Sequence, residues 1–163
     1  MSGNLEPVQP DRERDLTMMR RALELAKQAS ERGEVPVGAV VSRGDEILAV
    51  AANEREATQD PTAHAELLAL REAAKRLGSW RLTGCTLYST LEPCPMCAGA
   101  AYAARISRLV YAAADPKAGF AGTLHDLPKD ARLNHNFQAE HGLLEAEAAE
   151  LLRDFFKKRR RKL

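Results

Sequence analysis

Two short stretches of the 163-residue chain combine residue types that could do metal chemistry: His64-Ala65-Glu66 and Pro93-Cys94-Pro95-Met96-Cys97. One imidazole nitrogen and two thiolates fill three tetrahedral positions of a zinc ion and leave the fourth for a water, whose pKa the metal lowers toward neutrality. A Cys-x-x-Cys pair at the first turn of a helix lets both sulfurs reach one ion, and the helix dipole favours their ionised forms. Glu66, two residues after the histidine, is not well directed at the same ion but can point at the bound water and shuttle a proton. Alone, Cys-x-x-Cys is equally a redox pair or half of a structural zinc site, and His-x-Glu alone carries little. Their combination argues against the simpler alternative, in which His64 caps a helix, Glu66 is solvated and the cysteines pack in a core. A closed structural site would ask for four protein ligands.

Such a site needs two chain segments that meet. Apolar residues Leu16, Met19, Leu23 and Ala26 recur at helical spacing from Asp15 and stop at Gly33. Residues 36–42 and 46–53 are apolar runs flanking Arg43-Gly44-Asp45, which predicts a hairpin. A helix is expected over 63–77, closed by Gly78, and a strand over 86–90. Pro93 and Pro95 then open a small-residue helix over 96–104. A strand at 108–112, a long loop at 115–136, a strand at 137–141 and an amphipathic terminal helix containing Leu143, Leu151, Phe155 and Phe156 complete the chain. This order predicts a three-layer α/β/α sandwich on a mixed five-stranded sheet. His64 and Cys94 each start a helix, so one sheet edge could present both, where α/β folds hold ligands.

Bulk properties bound the rest. Length and 45% hydrophobic content suit one domain with one core. The expected organisation is a disordered segment over 1–14, one catalytic domain with the zinc-ligand residues over 15–156 and a basic tail over 157–163. No apolar run of membrane-spanning length and no secretory signal stand out, which predicts a cytoplasmic protein without membrane contact. Cys85, Cys94 and Cys97 are an odd number and argue against a disulfide framework, with Cys85 read as a small buried residue. Net charge is +1, yet residues 157–162 read Lys-Lys-Arg-Arg-Arg-Lys, and removing their six positive charges leaves the remainder at −5. A basic end on a mildly acidic body suits a polyanionic partner, although a solvated terminus is the commoner meaning of such a tail.

From about Leu16 to Arg160 the chain resembles the bacterial tRNA-specific adenosine deaminases of the cytidine deaminase-like superfamily. The matching stretches are Glu34-Val-Pro-Val-Gly-Ala-Val40, Asn53-Glu-Arg55, Asp60-Pro-Thr-Ala-His-Ala-Glu66, Cys85-Thr-Leu-Tyr88, Thr90-Leu-Glu-Pro-Cys-Pro-Met-Cys-Ala-Gly-Ala100, Ala104-Arg-Ile106, Asp115-Pro-Lys-Ala-Gly119, Asn134-His135 and Asp154-Phe-Phe156. The resemblance implies a homodimer with one Zn2+ per subunit that converts adenosine to inosine at the wobble position of a tRNA anticodon stem-loop. It implies His64, Cys94 and Cys97 as metal ligands, Glu66 as the catalytic acid and base, and Asn53 as the base-contacting amide. It further implies base contacts from the backbone at Ala65, a pocket wall from Val35 and Pro36, and ribose and phosphate contacts from Asp115 and Lys117. Phe155 and Phe156 resemble the family's RNA-contacting terminal helix, where one phenylalanine, with Phe156 the candidate, could stack on a base while the other anchors the helix, core packing of both being the simpler expectation. Two rivals stay open: a deaminase of a free base such as guanine on the same scaffold, and a non-catalytic RNA-binding module with structural zinc.

Overall fold

The computed structural model describes residues 7–162. Helix α1 spans Arg12–Glu31 and is followed by strands β1, Gly38–Arg43, and β2, Glu46–Ala52. A one-turn helix α2, Arg55–Thr58, precedes α3, Ala65–Leu77, and then come β3, Thr86–Leu91, and α4, Pro95–Ala103. Strand β4, Arg108–Ala113, a 3-10 turn at Leu127–Lys129, strand β5, Gln138–His141, and helix α5, Glu145–Arg161, complete it. The sheet order is β2-β1-β3-β4-β5. β1 pairs antiparallel with β2 and β3, whereas β3–β4 and β4–β5 are parallel, so the sheet is mixed as expected.

Side chains of the central strands alternate between two cores because successive residues point to opposite faces. Val40, Tyr88, Val110 and Ala112 face α1 and α5. Ala39, Val41, Leu87, Leu109 and Tyr111 face α3 and α4. With both faces covered, β4 is buried along its whole length. Gly38 is required where α1 crosses β1: a Cβ there would overlap the backbone of Ala22.

Several boundaries differ from expectation. Asp11 caps α1 by accepting from the Arg14 amide at 3.0 Å, so the helix starts three residues before Asp15 and takes in part of the segment expected to be disordered. Residues 1–6 of that segment lie outside the described residues. The buried stripe of α1 is Met18, Met19, Ala22, Leu25, Ala26 and Ala29, with Leu16 and Leu23 only half-buried at its margin. The basic residues 157–161 are not a separate tail but the last turns of α5, whose four basic residues at the C-terminal end suit the helix dipole.

Candidate metal centre and base-binding cleft

Topology brings the functional segments to one edge of the sheet. Gly38 at the start of β1 pairs with Ala52 at the end of β2, and Ala39 pairs with Ser89 near the end of β3, which runs parallel to β4. The segments entering β1 and leaving β2, β3 and β4 therefore gather at the same place. They carry Val35, Asn53, His64, Cys94 and Asp115.

His64 is the N-cap of α3 and Cys94 the N-cap of α4, both in extended conformation, with Pro95 preset for the first helical position. His64 Nδ1 lies 3.6 Å from Cys94 Sγ and 3.6 Å from Cys97 Sγ. All three donor atoms lie within 4.8 Å of one another. Tetrahedral zinc with bonds of about 2.05 Å to nitrogen and 2.3 Å to sulfur separates the two donor types by about 3.6 Å. The cluster thus has the donor set and the spacing of a three-ligand zinc site. The Cys97 thiol beside it and the His64 ring hold Cys94 down at about 4, against the opposing effect of burial. Cys97 is pushed far up by Cys94 and by burial. Hydrogen bonding to Cys94 raises His64. A divalent cation bound by the three donors would displace protons from the sulfurs.

Glu66, in the first turn of α3, is 4% exposed, and burial pushes its carboxyl up to about 7. It borders a cleft of about 150 Å³ together with Val35, Asn53, His64, Ala65, Cys94 and Asp115. Val37, Arg55, Leu91, Glu92 and Ala118 complete the lining and were not singled out in the sequence. Asn53 is buried, its Nδ2 donating to the Val35 carbonyl at 3.5 Å and its Oδ1 accepting from the Arg55 amide at 3.3 Å. Glu34, 1% exposed, accepts from the amides of Glu56 at 3.1 Å and Ala57 at 2.7 Å and so anchors α2 beside Asn53. A carboxylate buried between apolar neighbours at the entrance to a strand was the available signal, and only the fold shows which amides it meets.

Three expected contacts lie elsewhere. Pro36 is buried and not part of the cleft lining. Lys117 and Phe156 line a second groove of about 610 Å³ with Pro116, Leu152, Arg153, Arg159 and Arg160. The two phenylalanines do not both pack inside: Phe155 is 9% exposed, whereas Phe156 is 42% exposed and meets it edge to face. Asp115 in the cleft and Lys117 in the groove are two residues apart, so the two hollows adjoin.

A three-layer α/β/α sandwich with a three-donor His-Cys-Cys cluster that fits a zinc ion, and a buried glutamate beside it, is the arrangement of the nucleobase-deaminase class of protein. Residues 13–160 match the family model described as MafB19-like deaminase. A relative from Bacillus subtilis (strain 168), a tRNA-specific adenosine deaminase, is 49% identical over 148 residues, which are 91% of this chain and 92% of the relative. A solved structure from biochemical and structural studies of A-to-I editing by tRNA:A34 deaminases superposes with TM-score 0.80 at 43% identity, covering 83% of this chain and 99% of that one. A guanine deaminase from Nitrosomonas europaea superposes with TM-score 0.76 at 26% identity, covering 93% and 88%. The chain belongs to the tRNA-specific adenosine deaminase family.

Proposed function

We propose that this protein deaminates adenosine to inosine at the wobble position of a tRNA anticodon, with one zinc ion held by His64, Cys94 and Cys97. The observation that carries this reading is the three-donor cluster with a buried carboxylate outside the donor set, lining the same cleft of about 150 Å³. Identity near one half to a tRNA-specific adenosine deaminase over nearly the whole chain supports the choice of substrate.

Bound zinc supplies Lewis acidity that makes water a nucleophile at neutral pH. Glu66 takes a proton from the attacking water and places it on N1 of the purine, then passes a proton to the amino group, which leaves C6 as ammonia. Adenosine and water thereby become inosine and ammonia. Asn53, oriented by Val35 and Arg55, offers a donor and an acceptor to the purine edge, and the backbone at Ala65 and the side chain of Val35 wall the base. Pro36 stiffens the strand entrance behind Val35. Asp115 faces the ribose, Lys117 a phosphate, and exposed Phe156 a neighbouring base, with Arg153, Arg159 and Arg160 supplying positive charge along the groove.

Helix α4 supports a homodimer. It is built almost wholly of small and apolar residues, and Met96, Ala100, Tyr102 and Ala103 remain half-buried or exposed, whereas a helix apolar all round belongs in an interior or an interface. No helix among the described residues is long and apolar enough to cross a membrane, and a tRNA substrate supports a cytoplasmic location.

Guanine deaminase is the second reading, favoured by the superposition on the Nitrosomonas europaea enzyme. The cationic groove beside the cleft has no role toward a free base. A non-catalytic RNA-binding module leaves the buried Glu66 without a purpose. The test is incubation of the zinc-loaded protein with an anticodon stem-loop bearing adenosine at the wobble position, and separately with guanine, cytosine, cytidine and adenosine. Inosine in the stem-loop is expected. Ammonia from a free base alone overturns the assignment.

A further inference from the structure

Glu92 leaves strand β3 one residue before Pro93, and its side chain is 1% exposed. Its partners are not a cation but backbone amides of one segment: Asp115 at 3.1 Å, Ala121 at 3.0 Å and Thr123 at 3.1 Å. The Thr123 hydroxyl donates to it as well. Two backbone bonds tie the same strand exit to this region, from the Phe120 amide to the Pro93 carbonyl at 2.9 Å and from the Glu92 amide to the Ala113 carbonyl at 2.8 Å. The segment closes on the carboxylate so tightly that a Cβ at Gly119 would overlap it. From below, the Tyr111 hydroxyl donates to the Ala121 carbonyl at 3.1 Å. At the outer side, Asp115 Oδ1 accepts from the amides of Lys117 at 2.9 Å and Ala118 at 3.2 Å.

Segment 115–123 forms no helix, and three of its amides are satisfied by a single side chain. Hydrogen bonds to a buried carboxylate are stronger than neutral ones, and withdrawing the acceptor strands the donors. The same segment presents Asp115 and Ala118 to the base cleft and Lys117 to the cationic groove. We propose that Glu92 is a positioning residue for RNA recognition: its carboxylate is the internal anion around which residues 115–123 are wound, with Gly119 as the matching gap, and it thereby sets where Asp115 and Lys117 meet the nucleotides around the target base. The proposal rests on the deaminase reading of the cleft for its functional half, while its structural half stands on geometry alone.

The experiment compares zinc-loaded Glu92→Ala, Glu92→Gln, Gly119→Ala and the double variant Glu92→Ala/Gly119→Ala with the unaltered protein. Hydrogen exchange at Ala121 and Thr123 is expected to rise at least about tenfold in Glu92→Ala, with α3 unchanged. Gly119→Ala lowers Tm on its own but adds no loss to Glu92→Ala, because the overlapping carboxylate is gone. KM for the anticodon stem-loop rises about tenfold while kcat stays within about threefold and zinc content is unchanged. Glu92→Gln, which keeps the shape but offers one acceptor oxygen, gives intermediate exchange and KM, replaces the alanine variant in those two comparisons if that variant does not fold, and shows additive Tm losses with Gly119→Ala because the overlap remains. Additive Tm losses for Glu92→Ala with Gly119→Ala, unchanged exchange in 115–123, or a loss of kcat accompanied by zinc release each overturn the proposal. If the unaltered protein leaves the stem-loop untouched, the functional reading fails, and exchange with the Tm cycle still judges Glu92.

Discussion

Arg108 offers the sharpest test of how the sheet beneath the site is held. Its side chain is 1% exposed, and its guanidinium grips Asp15 with Nη1–Oδ1 at 2.8 Å and Nη2–Oδ2 at 2.7 Å, while Nε and Nη2 reach Glu140 at 3.1 and 2.6 Å. The Tyr88 hydroxyl donates to Asp15 at 2.6 Å, so α1, β3, β4 and β5 meet in one network. Arg108→Met keeps much of the volume but leaves Asp15, whose side chain is 8% exposed, with a single neutral donor. Removing one member of a buried pair costs about 3–5 kcal/mol. At about 2–4 °C per kcal/mol for a chain of this length, Tm falls by about 6–20 °C. The triple variant Asp15→Leu/Tyr88→Phe/Arg108→Met, which leaves only the half-exposed Glu140 and the buried Ser42 hydroxyl beside Tyr88 without their partners, recovers part of that loss.

The pH dependence separates charge from packing. Burial alone would raise Asp15, but the hydrogen bonds from Arg108 and Tyr88 outweigh it and hold the carboxyl below its ordinary value. A folded pKa below the unfolded one stabilises the protein above about pH 4, the unfolded value, and that contribution is lost as pH falls through the folded pKa. In Arg108→Met burial prevails, the folded pKa lies above the unfolded one, and acidification relieves the variant. The Tm gap between the two proteins should therefore narrow from pH 7 to pH 4.5, measured by circular dichroism in the presence of a chelator so that metal release does not enter. A gap that is the same at both pH values would refute the electrostatic account and leave only lost packing.

Two further outcomes bear on the site itself. Glu66→Gln should keep one zinc per chain by atomic absorption while deamination of the stem-loop slows by about 10²–10⁴, the usual worth of a positioned acid and base; loss of zinc would make Glu66 a ligand instead. Arg159→Gln/Arg160→Gln removes two of the charges lining the groove beside Phe156 and should reduce the slope of log affinity for the stem-loop against log salt by about 1.4. An unchanged slope means that this end of α5 does not meet phosphate.

Much of the protein was legible in the chain because the relevant physics is local. The two helix starts carrying His64 and Cys94 are marked by prolines and apolar periodicity, and the hairpin by Gly44 between two apolar runs. Ligand spacing within Cys94-x-x-Cys97 is a property of one helical turn. That the two starts meet follows from strand order, which a few topological rules restrict. Local patterning did less well wherever a residue's role depends on what crosses it. The buried stripe of α1 is set by where β1, β3 and α5 pack, and so includes Met18 and Leu25 rather than Leu16 and Leu23. Core packing of both Phe155 and Phe156 is the simpler expectation, yet a 100° step around α5 turns one toward the protein and the other to solvent.

By itself, then, the sequence determined the His64-Cys94-Cys97 cluster, the carboxylate of Glu66 beside it and the class of fold, since these rest on residue type and short-range spacing. Tertiary structure alone decided that Lys117 and Phe156 share a groove apart from the cleft, that Pro36 is buried outside the cleft lining, and that Glu34 and Glu92 accept from the amides of α2 and of segment 115–123. Glu92 and Thr123 are separated by 31 positions. A contact at that range leaves no period in the chain, and its cause is the packing of two loops against one strand exit.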